Sequence, residues 1–161
     1  MLMTRVGAVH CAFRIEDVVE IMRPLPVEPI GRSDDPALAL IDGVAMIRGA
    51  AVPVVDARRL LAGGAGLAGD GAPRFVVVRT VDRHVAVRVD AVIELQRIDG
   101  HVLASLPPLL DAANRAGVAA IGARDDGLLV VLDAARVVPD ASWRALATAR
   151  GLPELPASDA P

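Results

Sequence analysis

Short apolar runs separated by turn residues recur along the chain and predict β-strands rather than long helices. Two pairs of Val-rich runs each flank a tight turn and predict hairpins: 2–6 with 9–13, and 74–80 with 84–90. β-Branched side chains pack well on a pleated sheet, which favours strands in a chain with so much Val. One of these apolar stretches, 45–61, places Arg48 beside Gly49 between two predicted buried strands, and this Arg needs an explanation.

The chain also contains an internal repeat. Three pairs of segments carry it: 14–21 with 88–95, 44–47 with 118–121, and, after a slip of three residues, 56–61 with 133–138. The segments occur in the same order in both halves. Each half therefore predicts a hairpin, a third strand, two further strands and a closing helical turn.

Five short strands per half predict an all-β protein of two small, nearly closed barrels, because closure removes exposed strand edges. The expected boundaries are subdomain 1 at about 1–61, a Gly-rich link at 62–73, subdomain 2 at about 74–139, a C-terminal helix at 140–151 and a flexible tail at 152–161. We expect Trp143 to anchor that helix to the barrels, although a contact with a partner is the alternative use of such a residue.

Composition excludes several classes of protein. The net charge is −3 and the basic residues, all of them Arg, are scattered, which argues against nucleic acid as a partner. The single Cys11 rules out an intramolecular disulfide. With no secretory signal and no membrane-spanning run, we expect a cytoplasmic protein without direct membrane insertion.

The candidate catalytic and cofactor-binding motifs lack the flanking structure or the residue spacing that such sites require. Gly64, Gly66 and Gly69, with Asp90 beyond them, imitate a dinucleotide-binding fingerprint, but the glycines lead into a strand and not into a helix N-terminus. His10, His84 and His101 show no metal-ligand spacing with Cys11. We therefore expect no enzyme activity, no metal and no cofactor.

The segment 43–61, "GVAMIRGAAVPVVDARRLL", resembles the signature of CheW-type chemotaxis adaptors, and 15–30 and 84–98 resemble further segments of that family in order. The resemblance extends over roughly residues 2 to 139. It implies two tandem five-stranded SH3-like barrels and a scaffolding role. The implied partners are the regulatory domain of a CheA-type histidine kinase and the cytoplasmic hairpin tip of a chemoreceptor.

The same resemblance implies a set of partner-binding residues. Arg48 would pair with Glu20 at the rim of an apolar groove, Gly49 would allow the tight turn, and the groove would be formed by four apolar residues: Val18, Ile21, Val87 and Val89. The alternative is that Arg48 only solvates a turn. The repeat places Gly122 where the first half has Arg48, so the fold itself does not require Arg there.

One position departs from the family pattern, which usually has Asn where this chain has Met46. This change raises a second hypothesis, a divergent scaffold that binds only one partner in a motility or other signalling pathway. A third is a nucleotide-binding enzyme that uses the glycines of the link. A fourth is a module cut from a larger chain, although Met1 just before the first strand and the polar tail favour a free-standing protein.

Overall fold

The fold is described from a computed structural model. The structure describes residues 1–30, 35–62, 71–99, 103–105, 117–124 and 127–150. The predicted flexible tail at 152–161, most of the Gly-rich link and His101 lie outside these ranges.

Within those ranges the chain consists mainly of β-strands, as predicted. The strands are β1 (Leu2–Val6), β2 (Val9–Phe13), β3 (Val18–Met22), β4 (Ile41–Ile47), β5 (Ala50–Asp56), β6 (Arg74–Arg79), β7 (His84–Val89), β8 (Ala91–Leu95), β9 (Leu103–Ser105), β10 (Val118–Arg124) and β11 (Gly127–Leu132). The helices are α1 (Ala57–Ala62) and α2 (Asp140–Arg150), with 3₁₀ turns at Ile15–Asp17, Pro36–Leu38 and Ala134–Arg136. No helix among the described residues is both long and apolar enough to cross a membrane.

The strands form two sheets, and these sheets do not follow the two halves of the sequence. One sheet has the order β3-β6-β7-β5-β4, and the other has the order β8-β1-β2-β11-β10-β9. The all-β class is confirmed, and of the two units predicted with five strands each, one sheet has five and the other has six because β9 is added. The assignment of strands needs correction, because the first hairpin of each half is exchanged: β1–β2 pairs with strands of the second half, and β6–β7 with strands of the first.

The inner positions of β6 are apolar without alternation, because both faces of the five-stranded sheet are buried there. The main core contains residues of both sheets, among them Phe13, Val76, Val87 and Leu132. A second cluster on the five-stranded sheet includes Phe75, which alternates with Val76 along β6. A strand covered on both faces reads as a continuous hydrophobic run.

The buried Asp90, at the junction of β7 and β8, ties the exchanged elements together. Its carboxylate accepts a hydrogen bond from the Gly7 backbone N–H at 2.7 Å and another from Arg58 Nε at 3.0 Å. Its own backbone N–H donates to the Arg5 carbonyl at 3.0 Å. Asp90 therefore has a structural role here, with its charge balanced by the Arg58 of α1.

Candidate functional site

The turn between β4 and β5 consists of Arg48 and Gly49, which lie between the last paired residues, Ile47 and Ala50. Both turn residues have positive φ, 49° for Arg48 and 81° for Gly49. Such a two-residue turn matches the twist of the flanking strands, and Asn or Gly normally occupies its first position. Arg48 is the one described non-glycine residue in this conformation. The left-handed backbone disfavours a side chain with a Cβ, so the presence of Arg here indicates a role for its side chain.

Glu20 reaches this turn because of an irregularity in β3. Val18 pairs with Val78 and Glu20 pairs with Val77, although adjacent residues of β6 face opposite sides of the sheet. The register shift leaves Val19 as an extra residue, as in a β-bulge. Bulges re-aim side chains, and here Glu20 is moved to the side of the second cluster, next to the Arg48 turn.

Arg48 and Glu20 form a two-pronged ion pair, which confirms the predicted pairing. Arg48 Nε and Nη2 donate to Glu20 Oε1 and Oε2, each at 2.8 Å. The Arg48 side chain is 79% exposed and that of Glu20 is 20% exposed. The hydrogen bond from Arg48 lowers the pKa of Glu20, and the same bond raises the pKa of Arg48. An exposed pair contributes little stability by itself, but its fork geometry fixes the direction of both side chains.

A groove of about 400 Å³ begins at this ion pair. It is lined by Val19, Glu20, Ile47, Arg48, Ala50, Ala51, Val52, Pro53, Val77, Asp82, Arg83, His84 and Trp143. Most of the lining is apolar, and charged side chains are supplied by the β4–β5 turn, β3 and the β6–β7 turn. Such a surface can bind an apolar side-chain row while charged groups set its position.

The C-terminal helix supplies one part of the groove. Trp143 packs against the main core, as expected for an anchor, and also lines the groove. The Arg83 guanidinium lies over its ring, 4.8 Å from the ring centre. Leu146 of the same helix is buried in the main core, and the Ser142 hydroxyl donates a hydrogen bond to the Ala37 carbonyl. Helix α2 therefore packs against the core and the 3₁₀ turn Pro36–Leu38.

The four apolar residues predicted for the site differ in how far they are buried, and none of them lines the groove. Val87 and Val89 are fully buried in the main core, so the prediction that they contribute to a partner-binding surface is wrong. Strand β7 turns these side chains inward between the two sheets. Val18 is half-buried against the same core, and Ile21 is 43% exposed but lies outside the groove lining.

Apart from Trp143, the sequence did not predict these groove residues: Val19, Ile47, Val77, Asp82, Arg83, His84 and the start of β5, 50–53. Val19 enters because of the bulge, which has no sequence signal. Trp143 was noticeable in the sequence as the single Trp, but the sequence could not place it beside β5 and β7. Met46 is 56% exposed and pairs with the groove residue Ala51, so it lies beside the groove.

The comparison of Arg48 with Gly122 also needs correction. Gly122 lies within β10 and pairs with Leu129, and the last described pair of that hairpin is Arg124 with Gly127. Strand β10 therefore continues to Arg124, beyond the position that the repeat aligns with Arg48, and residues 125 and 126 lie outside the described residues. Gly122 is consequently a strand residue and gives no information about the Arg48 turn.

The candidate groups for other chemistry are Cys11, possible metal ligands and the glycines of the link. Cys11 is buried, and burial raises the pKa of its thiol to about 12. The described part of the chain contains no cluster of His, Cys, Asp or Glu that could hold a metal ion. Gly64, Gly66 and Gly69 lie outside the described residues, so the structure does not address their role.

Comparisons with known proteins agree with this architecture. The family model of the CheW-like domain matches residues 1–142. Among solved structures, the scaffolding protein TtCheW from Thermoanaerobacter tengcongensis is similar, with a TM-score of 0.67, 23% identity and coverage of 82% of each chain. At this identity the likeness shows the fold. No curated protein sequence matches the chain.

Proposed function

Because the chain belongs to the CheW-like domain family, we propose that it is a non-catalytic adaptor in chemotaxis or a chemosensory-like pathway. It couples the cytoplasmic hairpin tip of a chemoreceptor to the regulatory domain of a CheA-type histidine kinase. It acts in the cytoplasm and reaches membrane receptor arrays through these partners.

The observation that carries this proposal is the ion pair of Arg48 and Glu20 at an apolar groove. The Arg48 backbone adopts a conformation that Gly or Asn would adopt at lower conformational cost. The presence of Arg at this position therefore favours a role for its guanidinium over a purely structural role in the turn. A groove with an apolar lining and a fixed charge at its rim suits one face of a helical hairpin. Charges at a rim contribute more to register and specificity than to affinity.

A scaffolding role also fits the described side chains. The buried Cys11, with its raised pKa, is a poor nucleophile at neutral pH. The buried carboxylate of Asp90 is already hydrogen-bonded by Arg58 and Gly7. Both groups are committed to the fold.

Met46 favours the second candidate, a divergent scaffold that retains only one of the two partners. Its exposed side chain lies next to the groove, where the family usually has Asn. A flexible apolar side chain in place of an amide removes hydrogen-bonding capacity from the rim and adds an adaptable contact. Such a change would alter receptor choice.

The test is a calorimetric titration with two probes from the same genome: the regulatory domain of a CheA-type kinase and a chemoreceptor cytoplasmic hairpin fragment. Three proteins are compared: the wild type, Arg48→Ala and the control Arg97→Ala. Arg97 is exposed and lies outside the groove lining. We expect the wild type and Arg97→Ala to bind both probes, and Arg48→Ala to lose about tenfold in affinity for the receptor fragment while binding the kinase domain normally.

Binding of only one probe by the wild type would favour the divergent scaffold, and Met46→Asn would then be expected to restore the missing interaction. Failure to bind either probe would overturn the adaptor function. Equal losses from Arg48→Ala and Arg97→Ala would remove Arg48 from the site.

A further inference from the structure

Arg83 is held in a fixed position at the end of the β6–β7 turn. The Thr80 backbone N–H and hydroxyl both donate to the Arg83 carbonyl, at 2.7 and 3.0 Å, and the Arg83 backbone N–H donates to the Thr80 hydroxyl at 3.2 Å. Its side chain then lies over the Trp143 ring. Both the backbone and the side chain of Arg83 are therefore positioned before any partner binds.

The guanidinium of Arg83 has hydrogen-bonding capacity that the fold does not use. Its Nε is buried and has no hydrogen-bond partner within the described ranges. The nearest carboxylate oxygen, of Asp82, is 3.7 Å from that nitrogen, which is too long for a hydrogen bond. The side chain as a whole is 32% exposed, at the groove. A guanidinium has five N–H donors, so its exposed part can serve a ligand.

The positive charge of the other groove arginine, Arg48, is already balanced by its ion pair with Glu20. Arg83 is balanced less completely, because its ion pair with Asp82 is long, at 3.7 Å, and lacks a hydrogen bond, while Trp143 covers one face of its guanidinium. A carboxylate forms charge-assisted hydrogen bonds with such a group, and partial desolvation strengthens them.

We propose that Arg83 and Trp143 form a second anchor of the groove, which binds an acidic side chain beside the apolar face of a helical partner. Arg83 receives the carboxylate, and Trp143 positions Arg83 and contacts the apolar residues next to it. This inference rests on the proposed function and specifies its ligand: a chemoreceptor tip helix with a Glu or Asp within one turn of its apolar contacts. It also makes the C-terminal helix α2 part of the binding site.

Trp143 is the only Trp in the chain, so its fluorescence reports directly on this part of the groove. The probe is the chemoreceptor hairpin fragment, and binding is followed both by Trp emission and by calorimetry. The variants are Arg83→Ala, Arg83→Lys and the control Arg79→Ala, an exposed Arg on the same hairpin outside the groove lining. Each acidic residue of the fragment tip is also replaced by its amide.

We expect the fragment to change the Trp143 emission, and Arg83→Ala to weaken its binding about tenfold, with Arg83→Lys intermediate and Arg79→Ala unchanged. One amide substitution in the fragment should weaken wild-type binding and have no further effect in Arg83→Ala, as expected for a directly contacting pair. Kinase-domain binding should be unchanged by Arg83→Ala.

If the fragment binds by calorimetry without changing Trp143 emission, or binds Arg83→Ala as tightly as the wild type, the second anchor is wrong and the adaptor function stands. If no amide substitution is coupled to Arg83, the acidic ligand is wrong. If the wild type does not bind the fragment at all, receptor coupling fails and the second anchor fails with it.

Discussion

Val87 and Val19 provide a matched pair for separating the core from the binding surface, because the same substitution has opposite consequences at the two positions. Val87 is 0% exposed and lies between Val55 and Val76 in the five-stranded sheet. Val87→Ala removes two buried methyl groups, a transfer term of about 1.6 kcal/mol. The cavity left behind raises the expected loss in the free energy of unfolding to about 2–3 kcal/mol.

Val19→Ala removes the same two methyl groups from a side chain that is 47% exposed. The expected loss in the free energy of unfolding is therefore about 0.8 kcal/mol or less. Because Val19 lines the groove, its truncation should weaken receptor-fragment binding several-fold. Val87→Ala should leave that binding within about twofold of the wild type at a temperature where the protein is folded.

Urea denaturation measures the first quantity, and an unchanged m-value confirms that only stability has changed. A thermal melt of Val87→Ala should show a midpoint lower by about 5–10 °C. The reasoning would be refuted if Val87→Ala cost less than about 0.5 kcal/mol and abolished binding, because Val87 would then belong to the partner surface. It would also be refuted if Val19→Ala destabilised the protein as strongly as Val87→Ala.

Three further predictions follow from other contacts. The lowered pKa of Glu20 means that its ion pair is fully formed above the ordinary pKa of 4.5 and is lost as the pH falls further. The difference in melting temperature between wild type and Glu20→Gln should therefore be constant from pH 8 to about 5 and shrink below that. A difference that grew on acidification would contradict the pairing. Cys11 should react with a thiol reagent at pH 8 only as fast as the protein opens, since burial raises its pKa to about 12, and rapid labelling of the native protein would show that it is accessible. Asp90→Ala leaves the Gly7 N–H and Arg58 without their acceptor and should lower the free energy of unfolding by about 1–3 kcal/mol in urea, whereas no change would remove Asp90 from its structural role.

Strand positions were predictable because they depend on local pattern. The predicted runs 2–6 and 9–13 coincide with β1 and β2, and the runs 74–80 and 84–90 each extend one residue beyond β6 and β7. Val-rich runs bounded by turn residues determine where strands begin and end. The short β9 was missed because its three residues, Leu103–Ser105, are too few to show an alternating pattern.

Part of the site was predictable for a different reason. The pairing of Arg48 with Glu20 came from the resemblance to a family, and the hydrogen bonds confirm it. Neither the hydrophobic pattern nor the repeat placed these residues together. Val87 and Val89 were misplaced because an apolar residue in a strand reads the same whether it faces the core or a groove.

The sequence by itself determined the all-β class, most strand positions and the two-residue turn at Arg48 and Gly49, because each depends on residues close together in the chain. Only the tertiary structure decided the exchange of hairpins between the halves. The hydrophobic pattern of a Val-rich hairpin is compatible with pairing to either sheet. The register shift that moves Glu20 across β3 and the docking of Trp143 beside Arg83 depend on the same long-range packing. The groove is therefore a product of tertiary contacts among segments whose individual structures the sequence had already specified.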